Sequence, residues 1–125
     1  MTWQDAAFAL AGAIGGTTAV VHGALTQRFL VRPVAALTDG HVPRSTARLV
    51  PALLQFSTFN WFVGGLALIV AAFWAGSEAR LATGVLVGSS YLFGAVGNFW
   101  STRGRHPGWL LMAVSLALIG AALVG

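Results

Sequence analysis

Seven polar side chains, His22, Gln55, Ser57, Thr58, Asn60, Ser90 and Asn98, sit inside runs of sequence that are otherwise apolar. The densest group is Gln55-Phe-Ser-Thr-Phe-Asn-Trp-Phe-Val-Gly-Gly65, which leads straight into the apolar run Leu66–Trp74. Amide, hydroxyl and imidazole groups can hydrogen-bond a neighbouring helix or a neutral or anionic solute. His22 could in addition take a proton, ligate haem or a metal, or stabilise an anion. The rest of the sequence narrows these options. Asp5, Asp39 and Glu78 all lie outside the apolar runs, so a proton relay or a cation site lacks its usual carboxylate. A haem held by two histidines needs a partner for His22, yet His41 and His106 fall in connections. With no cysteine, disulfides, thiolate catalysis and Cys-ligated metals are excluded. No catalytic residue, cofactor-binding residue or metal ligand is therefore assigned, and no cofactor is expected. The polar residues are read as a hydrogen-bonding layer, for helix–helix contact or for binding a solute.

Composition determines the solvent around these residues. Of 125 residues 57% are hydrophobic and 8% are charged, with a mean hydropathy of +0.79. A soluble domain carries about a quarter of its residues charged. This chain cannot cover itself that way and is expected to face lipid. The net charge of +4 comes from seven arginines, three acids and no lysine. The arginines flank apolar runs, which reads as membrane topology and not as nucleic-acid binding. The opening Met1-Thr-Trp-Gln-Asp5 lacks the basic start of a cleaved secretory signal, so the first span is expected to be retained.

Four windows satisfy the roughly 20 apolar residues that a helix needs to cross a bilayer. They run from about 6 to 26, 51 to 75, 81 to 102 and 107 to 125, with a connection over 27–50. The expected fold is thus all-α, an integral-membrane bundle of four transmembrane helices in a single domain. Pro33, Pro43 and Pro107 punctuate the connections, and Pro51 either opens the second helix or kinks one that starts near Ser45. Arg28, Arg32, Arg44, Arg48, Arg103 and Arg105 lie in the first and third connections, and only Arg80 in the second. That bias places the first and third connections in the cytoplasm and both termini outside. Trp3, Trp74, Trp100 and Trp109 fall near span ends, where indoles favour the headgroup region. The Phe29–Leu37 portion of the first connection reads either as an ordinary loop or as a segment lying on the membrane surface.

At about 1.5 Å of rise per residue, His22, Gln55 and Asn98 each lie about 6 Å from the cytoplasmic end of their span, and Asn60 about 13 Å. The polar residues should therefore form a layer in the cytoplasmic half, with Arg28 and Arg103 at its mouth. Small residues every fourth position, Ala7-Ala11-Gly15-Ala19-Gly23 and Ala113-Ala117-Ala121-Gly125, provide stripes for close helix packing. Gly12–Thr18 is similar to Gly84–Ser90, and Leu66–Ala72 to Leu116–Ala122. Such matches fit either a duplicated hairpin or chance in Ala/Gly/Leu-rich sequence.

The Gly-rich first span ending at His22-Gly23, the run Gly88-Ser-Ser-Tyr-Leu92 and the pair Gly108-Trp109 resemble small uncharacterised bacterial four-helix inner-membrane proteins. The resemblance covers much of the chain and implies the fold and no activity. Phe56-Ser57-Thr58-Phe59 resembles a sequence of the small fluoride-channel family, where it sits in the third helix and not the second. Small multidrug exporters are similar in length, but the acidic residue of their first helix has no counterpart here. The expected function is a non-enzymatic inner-membrane protein, accessory or structural, packing as a homo-oligomer or with a larger membrane partner. The alternative is a small channel or carrier for a neutral or anionic solute, working through a polar vestibule that faces the cytoplasm.

Overall fold

Thr2 and Asp5 start the first helix. The Thr2 amide donates to Asp5 Oδ2 at 2.7 Å and the Asp5 amide to Thr2 Oγ1 at 3.2 Å, a reciprocal cap that satisfies two otherwise free donors. The computed structural model describes residues 1–125 and is all-helical. Helix α1 (Trp3–Thr26) runs through a π-helical turn (Gln27–Val31) into α2 (Arg32–Thr38). It is followed by α3 (Arg44–Trp74), α4 (Ser77–Thr102) and α5 (Gly108–Val124). Trp3–Thr38, Arg44–Trp74 and Ser77–Thr102 are each long and apolar enough to cross a membrane. Helix α5 is apolar but shorter, 17 residues or about 26 Å.

The connection expected over 27–50 is helical except at Asp39–Pro43. Two prolines account for the difference. Pro33 has no N–H to give to the carbonyl of Phe29, and the chain widens by a residue there, so that the Arg32 N–H reaches Gln27 O. Pro51 lies inside α3, where it costs one ladder hydrogen bond without ending the helix. Gly40, at φ 72°, makes the reversal between α2 and α3.

The helices pack in the cyclic order α1, α3, α4, α5, with α1 and α3 in the most extensive contact. The α1 stripe Ala7, Ala11, Gly15, Ala19 and Gly23 is buried along its whole length. Where α1 crosses α3 the backbones nearly touch. A Cβ on Gly65 would lie 2.6 Å from the Gly12 carbonyl oxygen and 2.8 Å from the Gly16 nitrogen. The core is filled by Phe8, Leu68, Tyr91, Met112 and Ile119 among alanines. Tyr91 donates its hydroxyl to Trp61 O at 3.2 Å, and Ser115 donates to Ala11 O at 3.3 Å. Small residues line the closest helix contacts, and many bulky ones face outward: Phe93 is 82% exposed, Trp100 81% and Leu86 72%. Helices that associate in lipid pack this way, through small residues that let their backbones approach.

The end of the bundle opposite the arginine-rich connections is tied by one side chain. Arg80 Nη2 lies 2.7 Å from Asp5 Oδ1 and also donates to Ala72 O at 2.6 Å, while Nε donates to Ala71 O at 3.1 Å. Ala71 and Ala72 carry two of the last four carbonyls of α3, which have little helical partnering of their own. Arg80 thus caps α3 from α4 and holds the start of α1. Asp5 stands just ahead of the apolar part of α1. Its carboxyl is held below the usual range, first by the Thr2 amide, then by the Thr2 hydroxyl and Arg80, against an opposing effect of burial.

Candidate functional site

Helices α1 and α3 meet through polar groups in the half of the bundle next to the arginine-rich connections. His22 Nε2 lies 3.2 Å from Ser57 Oγ and 3.3 Å from Thr26 Oγ1. A bare Nε2 has one lone pair and accepts from one hydroxyl or the other, and a protonated one donates to one of them. Slightly nearer the connection, Gln55 Nε2 donates to Gly23 O at 3.1 Å and to Gln27 Oε1 at 3.2 Å. Thr58 Oγ1 donates to Gln55 Oε1 at 2.9 Å, and its methyl group covers Gly23. The side chain–backbone bond to Gly23 ties α3 to the α1 main chain itself. Asn60 Nδ2 donates to Ser90 Oγ and links α3 to α4. His22, Gln55, Ser57 and Thr58 therefore form one α1–α3 group, and Asn60 with Ser90 a separate α3–α4 pair.

Asn98 is placed differently. Its Oδ1 is buried and has no hydrogen-bond partner. The residue lies between two cavities. One, of about 440 Å³, is half-open and is lined by α1, α4, the start of α5, the α4–α5 connection and Trp61 of α3, with Thr17, His22, Asn98, His106 and Leu111 in its wall. The other, of about 390 Å³, lies between α3 and α4 over Ser57, Asn60, Ser90 and Asn98, with Phe56 and Phe93 at its edges. His22, Trp61, Gly94 and Asn98 line both and form the partition between them. The indole of Trp61 stands against the His22 ring, with centroids 4.7 Å apart and the planes at 51°. The larger cavity stops short of the far half of the bundle, where Phe8, Leu68, Tyr91 and Ile119 are packed together.

Neither arginine assigned to a mouth lines a cavity. Arg28 lies over the Phe29 ring, 5.3 Å from its centroid, and Arg103 ends α4 in a left-handed conformation. At that end the cavity wall is His106, Pro107 and Gly108, with the Gly108 amide donating to His106 Nδ1 at 3.1 Å. No three His, Asp or Glu side chains converge on a common point, so no metal-ligating set is seen. Three participants escaped the reading from sequence. Trp61 is the one tryptophan away from a helix end, a signal that was available. Tyr91 and the Asp5–Arg80 pair gave none, because both depend on which helices are neighbours. Comparison of the chain with protein-family models, with curated proteins and with solved structures gives no match.

Proposed function

We propose that this chain is a polytopic inner-membrane protein with four transmembrane helices and both termini outside, and that it binds a small neutral or anionic solute as a carrier does. The observation that carries the reading is the cavity of about 440 Å³ against the His22–Trp61–Asn98 partition. Its volume falls in the range of small-molecule sites, which are mostly apolar with a few convergent polar groups. The orphaned Asn98 carbonyl at its wall supports the same reading, since a buried acceptor without a donor costs about 1–3 kcal/mol. The tightly packed half around Phe8, Leu68 and Tyr91 supports a site with no path from the far end of the bundle.

Orientation rests on charge. Six arginines lie in the connections at one end, and the seventh, Arg80, is paired with Asp5 at the other. A count of six against one is the bias that keeps basic connections in the cytoplasm. The similar heptapeptides support a duplicated hairpin as the origin of the bundle.

A second reading, an accessory protein packing with itself or a membrane partner, is favoured by α5. Ala117, Gly120 and Ala121 are exposed on its outer side, while the α1 stripe is consumed within the bundle. Native mass spectrometry of the protein released from nanodiscs tests the carrier reading. A bound mass of small-molecule size is expected on the wild type and is lost when Thr17→Trp fills the cavity. No bound mass, or the same mass on both forms, would overturn it.

A further inference from the structure

The electrostatics of the larger cavity decide between the two solute classes. We infer that its ligand is a neutral, membrane-partitioning small molecule with an apolar body and one O–H or N–H donor, which it gives to Asn98 Oδ1. The inference rests on the proposed binding function and narrows it.

No Asp, Glu, Arg or Lys lines the cavity, and its two histidines are held in hydrogen bonds, His22 Nε2 with Ser57 and Thr26 and His106 Nδ1 with the Gly108 amide, so an ion entering it meets no permanent counter-charge. Taking an unpaired ion out of water costs several kcal/mol even after the protein relaxes. Arg28, Arg103 and Arg105, the cations nearest in sequence to the wall residues, are exposed and do not line the cavity. The wall is built of Ile14, Val21, Leu25, Leu111 and Met112, surface that suits an apolar body. Ile14 and Val21 lie on the flank of α1 that faces outward beside α5, and Val21 is 54% exposed, so the cavity can be entered from the bilayer between these helices.

The hydrogen-bonding partner follows from what is already in use. Thr18 gives its hydroxyl to Ile14 O at 2.7 Å, and His22 Nε2 is engaged by Ser57 and Thr26. Asn98 lines the cavity, and its Oδ1, an acceptor, is buried without a partner. The amide nitrogen faces Gly108, with Nδ2 3.4 Å from where a Cβ on that residue would stand. Rotation about the last torsion of asparagine is soft and nearly two-fold, so the amide can turn its carbonyl to the cavity when a donor arrives. A neutral donor relieves the orphan, whereas an anion presents only further acceptors to it.

Four probes with one naphthalene body separate the possibilities: 2-naphthol, 2-methoxynaphthalene, 2-naphthoate and 2-naphthylmethylammonium. Binding is measured by equilibrium dialysis against protein in nanodiscs, with uptake by empty nanodiscs subtracted. At pH 7, 2-naphthol is expected to bind saturably and about ten-fold tighter than 2-methoxynaphthalene, the worth of one hydrogen bond to a buried acceptor, and tighter than either ion. In Asn98→Leu the ratio of the two neutral probes should fall to about one, with folding checked by thermal melting. A ratio near one in the wild type, tighter binding of 2-naphthoate, or a ratio that survives Asn98→Leu would overturn the ligand class and leave the binding site standing. The wild-type ratio needs no variant and stands even if Asn98→Leu fails to fold. Absence of saturable binding by all four probes would overturn the site itself.

Discussion

The benzene edge of the Trp61 indole fills the space that a side chain on Gly94 would need. A helix crossing in lipid is thus used to seat an aromatic ring and not to bring two backbones together. The ring separates the two cavities, so its position and theirs are coupled.

Gly94→Ala is expected to destabilise the bundle by about 1–3 kcal/mol, as overpacking does in a close-packed interior. Trp61→Phe should relieve most of that cost, because the overlapping atoms belong to the part of the indole that phenylalanine does not reach. Thermal unfolding of the single and double variants in detergent checks this. Additive losses would mean that the two residues do not meet.

Arg80→Ala leaves the Ala71 and Ala72 carbonyls and Asp5 without a guanidinium. A loss of about 1–3 kcal/mol is expected, with little recovery in Arg80→Lys, since an ammonium cannot span both carbonyls and the carboxylate in a fixed fork. The same melting experiment measures it.

Acid should weaken the Asp5 contacts. Its carboxyl is depressed in the folded protein, first by the Thr2 amide and then by the Thr2 hydroxyl and Arg80, so the folded state binds the proton less readily than the unfolded chain. The stabilisation is present above the unfolded carboxylate range, about 3.9, and is lost as pH falls through the lower folded value. Wild type should therefore melt above Asp5→Asn at neutral pH, with the gap closing at the acid end of the titration. A gap that widens on acidification would contradict the assignment.

Arg103 ends α4 at φ 51° and ψ 39°, a left-handed conformation that penalises a side chain, and Gly104 follows at φ 73°. Arg103→Gly is expected to gain about 0.5–1 kcal/mol after allowance for the freer unfolded chain. Gly104→Ala should lose about 1 kcal/mol. Both are read as shifts in the melting temperature.

Orientation is open to cysteine labelling because the chain has no native thiol. A cysteine at Thr46, on the arginine-rich end of α3, should stay unlabelled by a membrane-impermeant maleimide added to intact cells and react once the membrane is opened. Reaction in intact cells would invert the topology.

Much of the architecture was legible because the code for membrane helices is coarse. Apolar runs long enough to cross a bilayer identify α1, α3 and α4, and the four-residue spacing of Ala7, Ala11, Gly15, Ala19 and Gly23 marks the face of α1 that is buried. Helix limits were less legible. Pro33 reads as a break and Pro51 as either a helix start or a kink in a helix from near Ser45, and a widened turn and one forgone hydrogen bond absorb them. Grouping polar residues by distance along each span, without knowledge of neighbours, puts His22 and Gln55 on one level with Ser57 and Thr58 nearby. It does not distinguish their α1–α3 bonds from the separate Asn60–Ser90 pair. Depth along a helix can be counted from sequence. Azimuth relative to a partner helix cannot, and the cavities, the Trp61 partition and the Asp5–Arg80 clasp all depend on azimuth.

The most direct measurement is the reactivity of a cysteine placed at Asn98, where the two cavities meet. A charged, water-soluble methanethiosulfonate, reaching Asn98→Cys through the polar cavity between α3 and α4, should modify it in inside-out vesicles and not in right-side-out vesicles, and 2-naphthol should slow the modification. Equal modification from both faces, or none from either, would contradict a solute site open to the arginine-rich side.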